Sequence, residues 1–277
     1  MREDEWGNTG EDEARRFFIN LYSGTSCSKK GLPMRKGLMI LAAILCGTVM
    51  LPKAAMALAS TFTVNTATAD AFLAAGSAGN PVCNTNCANL NFGGAGTLAI
   101  APASSAKGQF DSVVQWNTAG AATQFNTAFG AGNWHITNVS LNLASNFGDQ
   151  GEQPNNGIFN TINNGQFNVK WISNDSWIEG TGSGMGTAPG NPPSVTFGNQ
   201  ATTLLNGTSA NLGTFTYTPP GDGVYRSYNL NLDSNLLNDI AGGSLASLYF
   251  TAADNQVGYL FDSKSFRCCS DLYVFPL

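Results

Sequence analysis

The feature that most constrains the fold of this chain is an apolar side chain at every second residue, repeated in short runs along most of its length. Successive side chains of a β-strand point to opposite faces, so each run predicts a strand with one apolar face. The clearest runs carry Phe110, Ser112, Val114 and Trp116, then Phe167, Val169 and Trp171, then Tyr228, Leu230 and Leu232. About ten such strands predict an all-β fold, a two-sheet antiparallel β-sandwich.

The rest of the sequence predicts further strands, a β-bulge, short helices and two long loops. Further strands are predicted at 61–65, 97–101, 195–197, 213–218, 248–252, 259–261 and 272–275. Between 134 and 143 the apolar phase slips by one residue at Asn138, which predicts a β-bulge. One or two short connecting helices are expected, at 121–129 and at 234–241, where Asp233 would cap the second helix. Long loops at 148–157 and 180–193 are places where a sandwich can meet ligands.

The composition excludes several classes of function. Only 11% of the residues are charged, the net charge is −5 and the pI is near 4.7, so the chain lacks the cationic field that a nucleic-acid-binding protein needs. The low content of charged residues also excludes a coiled coil. His135 is the single histidine, and the chain lacks a Gly-x-Ser-x-Gly nucleophile motif, so a histidine metal cluster and an α/β-hydrolase type of triad are both disfavoured.

A signal peptide is predicted at 34–59. Arg35 and Lys36 precede an apolar run from Leu38 to Leu51, and Ala57 and Ala59 stand where a signal peptidase needs small residues. The run is short for the hydrocarbon core of about 30 Å, so a membrane span is the weaker alternative. Residues 1–33 are then either the product of a start codon assigned too far upstream or a cytosolic leader. The mature protein is expected to be one secreted domain, 60–277, without a membrane span.

Four cysteines follow the proposed cleavage site, namely Cys83, Cys87, Cys268 and Cys269. An oxidising exterior favours disulfides among them. A bond between the adjacent Cys268 and Cys269 would be strained, so the favoured pairing joins these two to Cys83 and Cys87. A cysteine-based zinc site is the competing hypothesis. The cross-pairing would tie the start of the domain to its end, as expected if the first and last strands are neighbours.

Several motifs, in order, resemble the DNRLRE-type (disaggregatase-related) jelly-roll domain. They are residues 68–73 (TADAFL), 91–93 (NFG) with Leu98, 107–111 (KGQFD), the strand at 136–143, and 175–182 (DSWIEGTG). The resemblance covers about residues 62–266. It implies a jelly roll, secreted or on the cell surface, related in fold to carbohydrate-binding modules and without catalytic activity. Similar bacterial proteins often end in a PEP-CTERM sorting signal, which is absent after Phe266 in this sequence.

Candidate ligand-binding residues cluster around the last of these motifs. Asp175 and Glu179 form a carboxylate pair beside Trp177, and glycosidases use two carboxyl groups about 5–10 Å apart. The resemblance instead implies a structural role, in which Trp177 packs and Glu179 accepts backbone hydrogen bonds. Trp177 and Tyr225 are the aromatic residues expected to be exposed, where they would stack on sugar rings. Asp70, Asp111, Asp222 and Asp254 lie near predicted turns and are candidates for a structural calcium ion.

Taken together, these observations predict a secreted, non-enzymatic jelly-roll protein of the cell surface or extracellular matrix that acts in adhesion or glycan binding. Its expected partners are extracellular polysaccharide or matrix, with no cofactor besides the possible calcium ion. Two alternatives stay open. One is a matrix or fibre subunit that self-associates by strand addition. The other is a polysaccharide-degrading enzyme that uses Asp175 and Glu179.

Overall fold

A computed structural model of the chain describes residues 60–80, 83–146, 158–160, 164–217, 224–265 and 271–276. These residues all belong to one compact unit, Ala54–Leu277. The predicted leader, the signal peptide and the boundary between them lie outside the described residues. So do Asp222, Cys268 and Cys269, together with the whole of the predicted loop at 148–157.

The described residues form eleven β-strands, three short α-helices and one 3-10 helix. The strands are β1 Phe62–Val64, β2 Ala69–Ala74, β3 Thr97–Ile100, β4 Phe110–Asn117, β5 Ile136–Ala144, β6 Gly165–Ile172, β7 Ser209–Tyr217, β8 Tyr225–Leu230, β9 Leu245–Ala252, β10 Tyr259–Asp262 and β11 Asp271–Pro276. The helices are α1 Ala121–Phe129, α2 Gln200–Thr203 and α3 Ser234–Gly242, and the 3-10 helix is Asn84–Asn89. The predicted all-β class is confirmed.

Two antiparallel sheets have the strand order of a jelly roll. One sheet is β1-β11-β5-β8 and the other is β2-β4-β9-β6-β7. Strands that follow one another in sequence mostly belong to opposite sheets, and the first strand pairs with the last, Phe62 opposite Val274. The predicted adjacency of the two ends of the domain is therefore confirmed. The number of sheets differs from the prediction, because β3 and β10 form a third, two-stranded sheet.

The core between the two large sheets consists of the side chains that the alternation assigns to it. Val114 and Trp116 of β4 pack with Leu141 of β5 and Phe167 of β6, and all four are fully buried. At about 25 cal/mol for each square ångström of apolar surface removed from water, this core supplies the main stabilisation of the fold. The predicted β-bulge also forms, since Phe275 pairs with Asn138 while Pro276 pairs with Ile136, which leaves Thr137 as the extra residue.

A second apolar cluster lies on the other face of the five-stranded sheet. Leu73 of β2, Val113 of β4 and Tyr249 of β9 contact Trp177 and Val195, which belong to the connection 173–208 between β6 and β7. We call residues 173–208 the covering segment. Because of it, β4 is buried on both faces. The strand predicted at 195–197 is wrong: Val195 is buried against the sheet, and its N–H donates to the Ile178 carbonyl within the covering segment.

The two predicted helices form where expected. The first, α1, has the predicted bounds, and the second, α3, ends one residue later than predicted. The Asp233 side chain accepts a hydrogen bond from the Asn235 N–H at 2.9 Å, and Gly243 ends α3 with φ 67°, which glycine tolerates best. Among the described residues, none of the helices has the length and apolar character required to cross a membrane.

The cysteine pairing differs from the prediction. Cys83 and Cys87 form a disulfide with each other, across a sequence separation of 4. The 3-10 helix, which begins directly after Cys83 and includes Cys87, brings the two Cα atoms to 5.0 Å, a normal distance for a disulfide. The predicted cross-pairing with Cys268 and Cys269 is therefore wrong for these two cysteines, because each sulfur forms one such bond.

Candidate functional site

The outward face of the four-stranded sheet carries a group of aromatic and amide side chains that we call the platform. Its members lie in the strand phase opposite to the core: Thr63 on β1, Asn138, Ser140 and Asn142 on β5, Tyr225, Ser227 and Asn229 on β8, and Tyr273 and Phe275 on β11. The other large sheet offers no comparable face, because the covering segment packs on it. The platform is therefore the outward sheet face of the described fold, exposed mainly along β8, whereas Ser140 on the central strand β5 is 6% exposed.

Register fixes the spacing of the aromatic side chains on the platform. Tyr273 pairs with Ser140, and Ser140 pairs with Asn229, so these three residues form one row across the sheet. Tyr225 lies four residues along β8 from the end of that row. With strands about 4.8 Å apart and about 3.4 Å per residue, Tyr273 and Tyr225 are about 17 Å apart on the diagonal. Tyr225 is 49% exposed, whereas Tyr273 and Phe275 are half-buried.

The polar groups of the platform are neutral side chains that can both donate and accept hydrogen bonds. The Asn138 Nδ2 donates to the Asn229 Oδ1 across the two strands at 3.4 Å. The Asn142 Oδ1 is buried and accepts no hydrogen bond, although its residue is only half-buried. Amide and hydroxyl groups beside aromatic rings are the usual means of orienting a polar, uncharged ligand. The predicted exposure of Tyr225 is confirmed, and its surroundings are those of a surface that can hold such a ligand.

Trp177, by contrast, is 6% exposed, so its predicted exposure is wrong. Its indole Nε1 donates to the Ser247 Oγ at 3.1 Å, and that hydroxyl donates to the Asp175 Oδ1 at 2.6 Å. The Gln115 Nε2 donates to the Asp175 carbonyl at 2.8 Å. Burial raises the pKa of Asp175, while the hydrogen bonds from Ser247 and Gln115 lower it. This network fastens the start of the covering segment to β4 and β9, and it leaves Trp177 no free ring face to offer a sugar.

Glu179 belongs to a different cluster, with Asp70 and Lys264. Its Oε1 accepts a hydrogen bond from the Asp70 N–H at 3.2 Å, and its Oε2 lies 2.6 Å from the Lys264 Nζ. The Lys264 Nζ also donates to the Thr68 carbonyl at 2.8 Å, and the Lys264 backbone N–H donates to the Asp70 Oδ2 at 2.6 Å. The expectation that Glu179 accepts a backbone hydrogen bond is confirmed. Asp175 and Glu179 thus bind different partners, and neither has the other as a hydrogen-bond partner.

The candidate calcium ligands are not brought together. Asp111 accepts hydrogen bonds from the Tyr249 hydroxyl at 2.7 Å and from Gln109. Asp254 accepts from two backbone N–H groups in the turn after β9 and from the Gln166 N–H on β6, and Asp70 lies in the cluster with Lys264. Within the described ranges, no three His, Cys, Asp or Glu side chains are grouped so that they could hold a metal ion. A structural calcium ion stays a prediction that these three aspartates do not support.

No protein-family model matches this chain, and a search of curated proteins finds no significant match. The likeness to the DNRLRE-type domain therefore stays a prediction, carried by the order of its motifs.

Sequence reasoning missed two features of these sites. Tyr273 and Phe275 were available from the same alternation that places Leu272 and Val274 in the core, since the outward phase of that strand is aromatic. Lys264 gave no comparable signal, because its contacts with Thr68 and Asp70 join residues nearly two hundred positions apart along the chain. A residue of this kind becomes recognisable only when the strand order is known.

Proposed function

We propose that this protein is a secreted, non-enzymatic jelly-roll module that binds an uncharged glycan on the platform. The observation that carries the proposal is the set of outward-facing aromatic side chains, Tyr225, Tyr273 and Phe275, interleaved with asparagine and serine on one sheet face. Aromatic rings pack against the C–H faces of sugars, and amide and hydroxyl groups pair with the sugar hydroxyls. The diagonal of about 17 Å between the two tyrosines suits an oligosaccharide better than a single sugar.

The charge distribution of the protein supports an uncharged ligand. The described platform side chains are uncharged, and the whole chain has a net charge of −5, so an anionic polysaccharide would be repelled. Secretion is supported by the predicted signal peptide and by the Cys83–Cys87 disulfide, since such bonds persist in oxidising compartments.

Glycan binding is favoured over self-association because both edges of the five-stranded sheet carry features that oppose strand addition. At the outer edge of β2 the Asp70 N–H donates to Glu179, and the carbonyl of Thr68, just before the strand, accepts from Lys264. The edge strand β7 has an extra residue, Leu212, and the carbonyl of that residue accepts a hydrogen bond from the Asn231 N–H. Occupied backbone groups and bulges are the usual protection of an edge against pairing with another chain.

The test is a neutral-glycan array probed with the secreted protein, followed by calorimetry with the best oligosaccharide. We expect Tyr225→Ala and Tyr273→Ala each to weaken binding at least tenfold, since each removes a stacking ring. Met185→Ala is the matched control, because Met185 is 67% exposed on the covering segment, away from the platform. Binding that survives both tyrosine substitutions, or a wild-type protein that binds none of the glycans, would overturn the proposal.

A further inference from the structure

The cluster of Lys264, Asp70 and Glu179 joins three segments that are far apart in sequence. Asp70 lies on β2, Glu179 on the covering segment, and Lys264 two residues after β10. The Lys264 backbone N–H donates to the Asp70 carboxyl group, and the Lys264 Nζ donates to the carbonyl of Thr68, which lies just before β2. The amine forms its ion pair with Glu179 and not with Asp70, so a bond to the Asp70 Cγ requires the lysine side chain to turn from Glu179 towards Asp70.

We propose that Lys264 and Asp70 form an intramolecular isopeptide bond, with Glu179 carrying the proton. An amide bond between side chains needs an amine, a carboxylic acid that can lose its hydroxyl group, and a group that moves protons between them. The three residues supply these groups in one cluster. The proton carrier is in place, since the Glu179 Oε2 lies 2.6 Å from the Lys264 Nζ.

The surroundings of Asp70 suit the role of electrophile. The residue is 1% exposed, and its Oδ1 has no hydrogen-bond partner. Burial raises the pKa of Asp70 to about 7, against the opposing hydrogen bond from the Lys264 backbone. A large fraction of the side chain is then the neutral acid near neutral pH. The protonation state matters because the negative charge of a carboxylate disfavours attack by a nucleophile on its carbon. A neutral carboxylic acid lacks that charge and is the better electrophile.

The reaction balances without an oxidant or a cofactor. The Lys264 ammonium first transfers a proton to the Glu179 carboxylate. The free amine then attacks the Asp70 Cγ, and a tetrahedral intermediate forms. Glu179 delivers its proton to the departing hydroxyl group and takes another from the nitrogen. A C–N bond forms, a C–O bond breaks and one water molecule leaves; Glu179 ends protonated and later releases that proton to solvent.

The consequence is a covalent tie between the second strand and the end of the tenth. The tie would close the part of the domain between Asp70 and Lys264 into a ring, and a closed loop of that length restricts the unfolded chain strongly. Such a bond would stabilise the fold of an extracellular protein by linking segments that lie near its two ends.

The test is a tryptic digest of the wild-type full-length protein, analysed by mass spectrometry. We expect the peptide that contains Asp70 and the peptide that contains Lys264 to appear as one species, lighter than their sum by one water molecule, with trypsin unable to cleave after Lys264. Fragmentation should place the link on these two residues. Separate peptides in the wild-type digest, or a link from Lys264 to Glu179, would overturn the proposal.

Substitutions distinguish a failure to form the isopeptide bond from a failure to fold. Lys264→Arg keeps a cation at this position but removes the nucleophilic amine, and Glu179→Gln removes the proton carrier, so neither should show the linked species. Asp70→Asn should still form the identical bond, with ammonia leaving in place of water. Lys170→Arg, at a partly buried lysine elsewhere, is the control and should stay fully linked. Circular dichroism checks that each variant is folded, and a linked species in Lys264→Arg would refute the assignment.

Discussion

The sharpest structural prediction concerns Trp177, because the sequence leaves two alternatives for its surroundings and the structure decides between them. If Trp177 were exposed, as one alternative expects, truncation to alanine would change stability by no more than about 0.5 kcal/mol, whereas the family resemblance implies that Trp177 packs. The structure buries it to 6% exposure between the covering segment and the five-stranded sheet, in contact with the cluster that contains Leu73, Val113 and Val195. Truncation of a tryptophan buried in this way costs about 3–5 kcal/mol, since packing is lost and a cavity remains.

For a domain of this size, about 3–5 kcal/mol corresponds to a fall of about 6–20 °C in Tm. Urea denaturation followed by far-ultraviolet circular dichroism gives the free energy of unfolding without relying on tryptophan fluorescence. We expect Trp177→Ala to lower that free energy at unchanged m-value. Trp177→Phe keeps a buried ring but loses the hydrogen bond to Ser247, so it should cost less than the alanine variant.

Met185→Ala, at 67% exposure on the same segment, is the matched control and should stay within about 0.5 kcal/mol of the wild type. A Trp177→Ala protein as stable as this control would refute the reasoning. The covering segment would then be only loosely associated with the sheet in solution.

Three further predictions test other parts of the fold. Asn91→Ala removes the side chain that donates to the Glu179 and Val195 carbonyls and accepts from the Gly182 N–H, so we expect a loss of about 2–4 kcal/mol in urea denaturation; a loss near zero would contradict the network. Burial raises the pKa of Asp111, so the folded state binds its proton more tightly than the unfolded state does, and stability should fall as pH rises from about 4 through the folded-state pKa. Asp111→Asn should flatten that part of the stability profile, measured from pH 4 to pH 8, and an unchanged slope would refute the assignment. Asp233→Ala removes the cap of α3 and should cost about 1 kcal/mol, whereas Asp233→Asn, which keeps an acceptor, should cost less.

The sequence predicted the β-sandwich because the pattern that indicates it, the alternation of apolar and polar side chains, is contained within each strand. Alternation assigns Val114, Trp116 and Leu141 to a core whatever the strand order, and they are fully buried. The same local rules located α1, the cap and end of α3, and the bulge beside Asn138. Such elements depend on residues a few positions apart, so their signals are contained in short windows of sequence.

The environment of a side chain could not be predicted in the same way where it depends on packing between segments that are distant in the sequence. Trp177 lies in an irregular segment without a strand period, so nothing in its neighbours shows that the outer face of the sheet needs a cover. Cys83 and Cys87 bond to each other because a 3-10 helix brings them together, and no spacing rule favoured that short pairing over the longer one.

What the amino-acid sequence determined by itself is the β architecture, since the choice of face for each side chain is made residue by residue along a strand. Only the tertiary structure decided which outward faces stay open and which charged groups meet. The covering segment closes one sheet and leaves Tyr225 and Tyr273 on the other, and the strand order brings Lys264 beside Asp70. Both outcomes depend on contacts between residues far apart in sequence, and local propensity carries no information about those contacts.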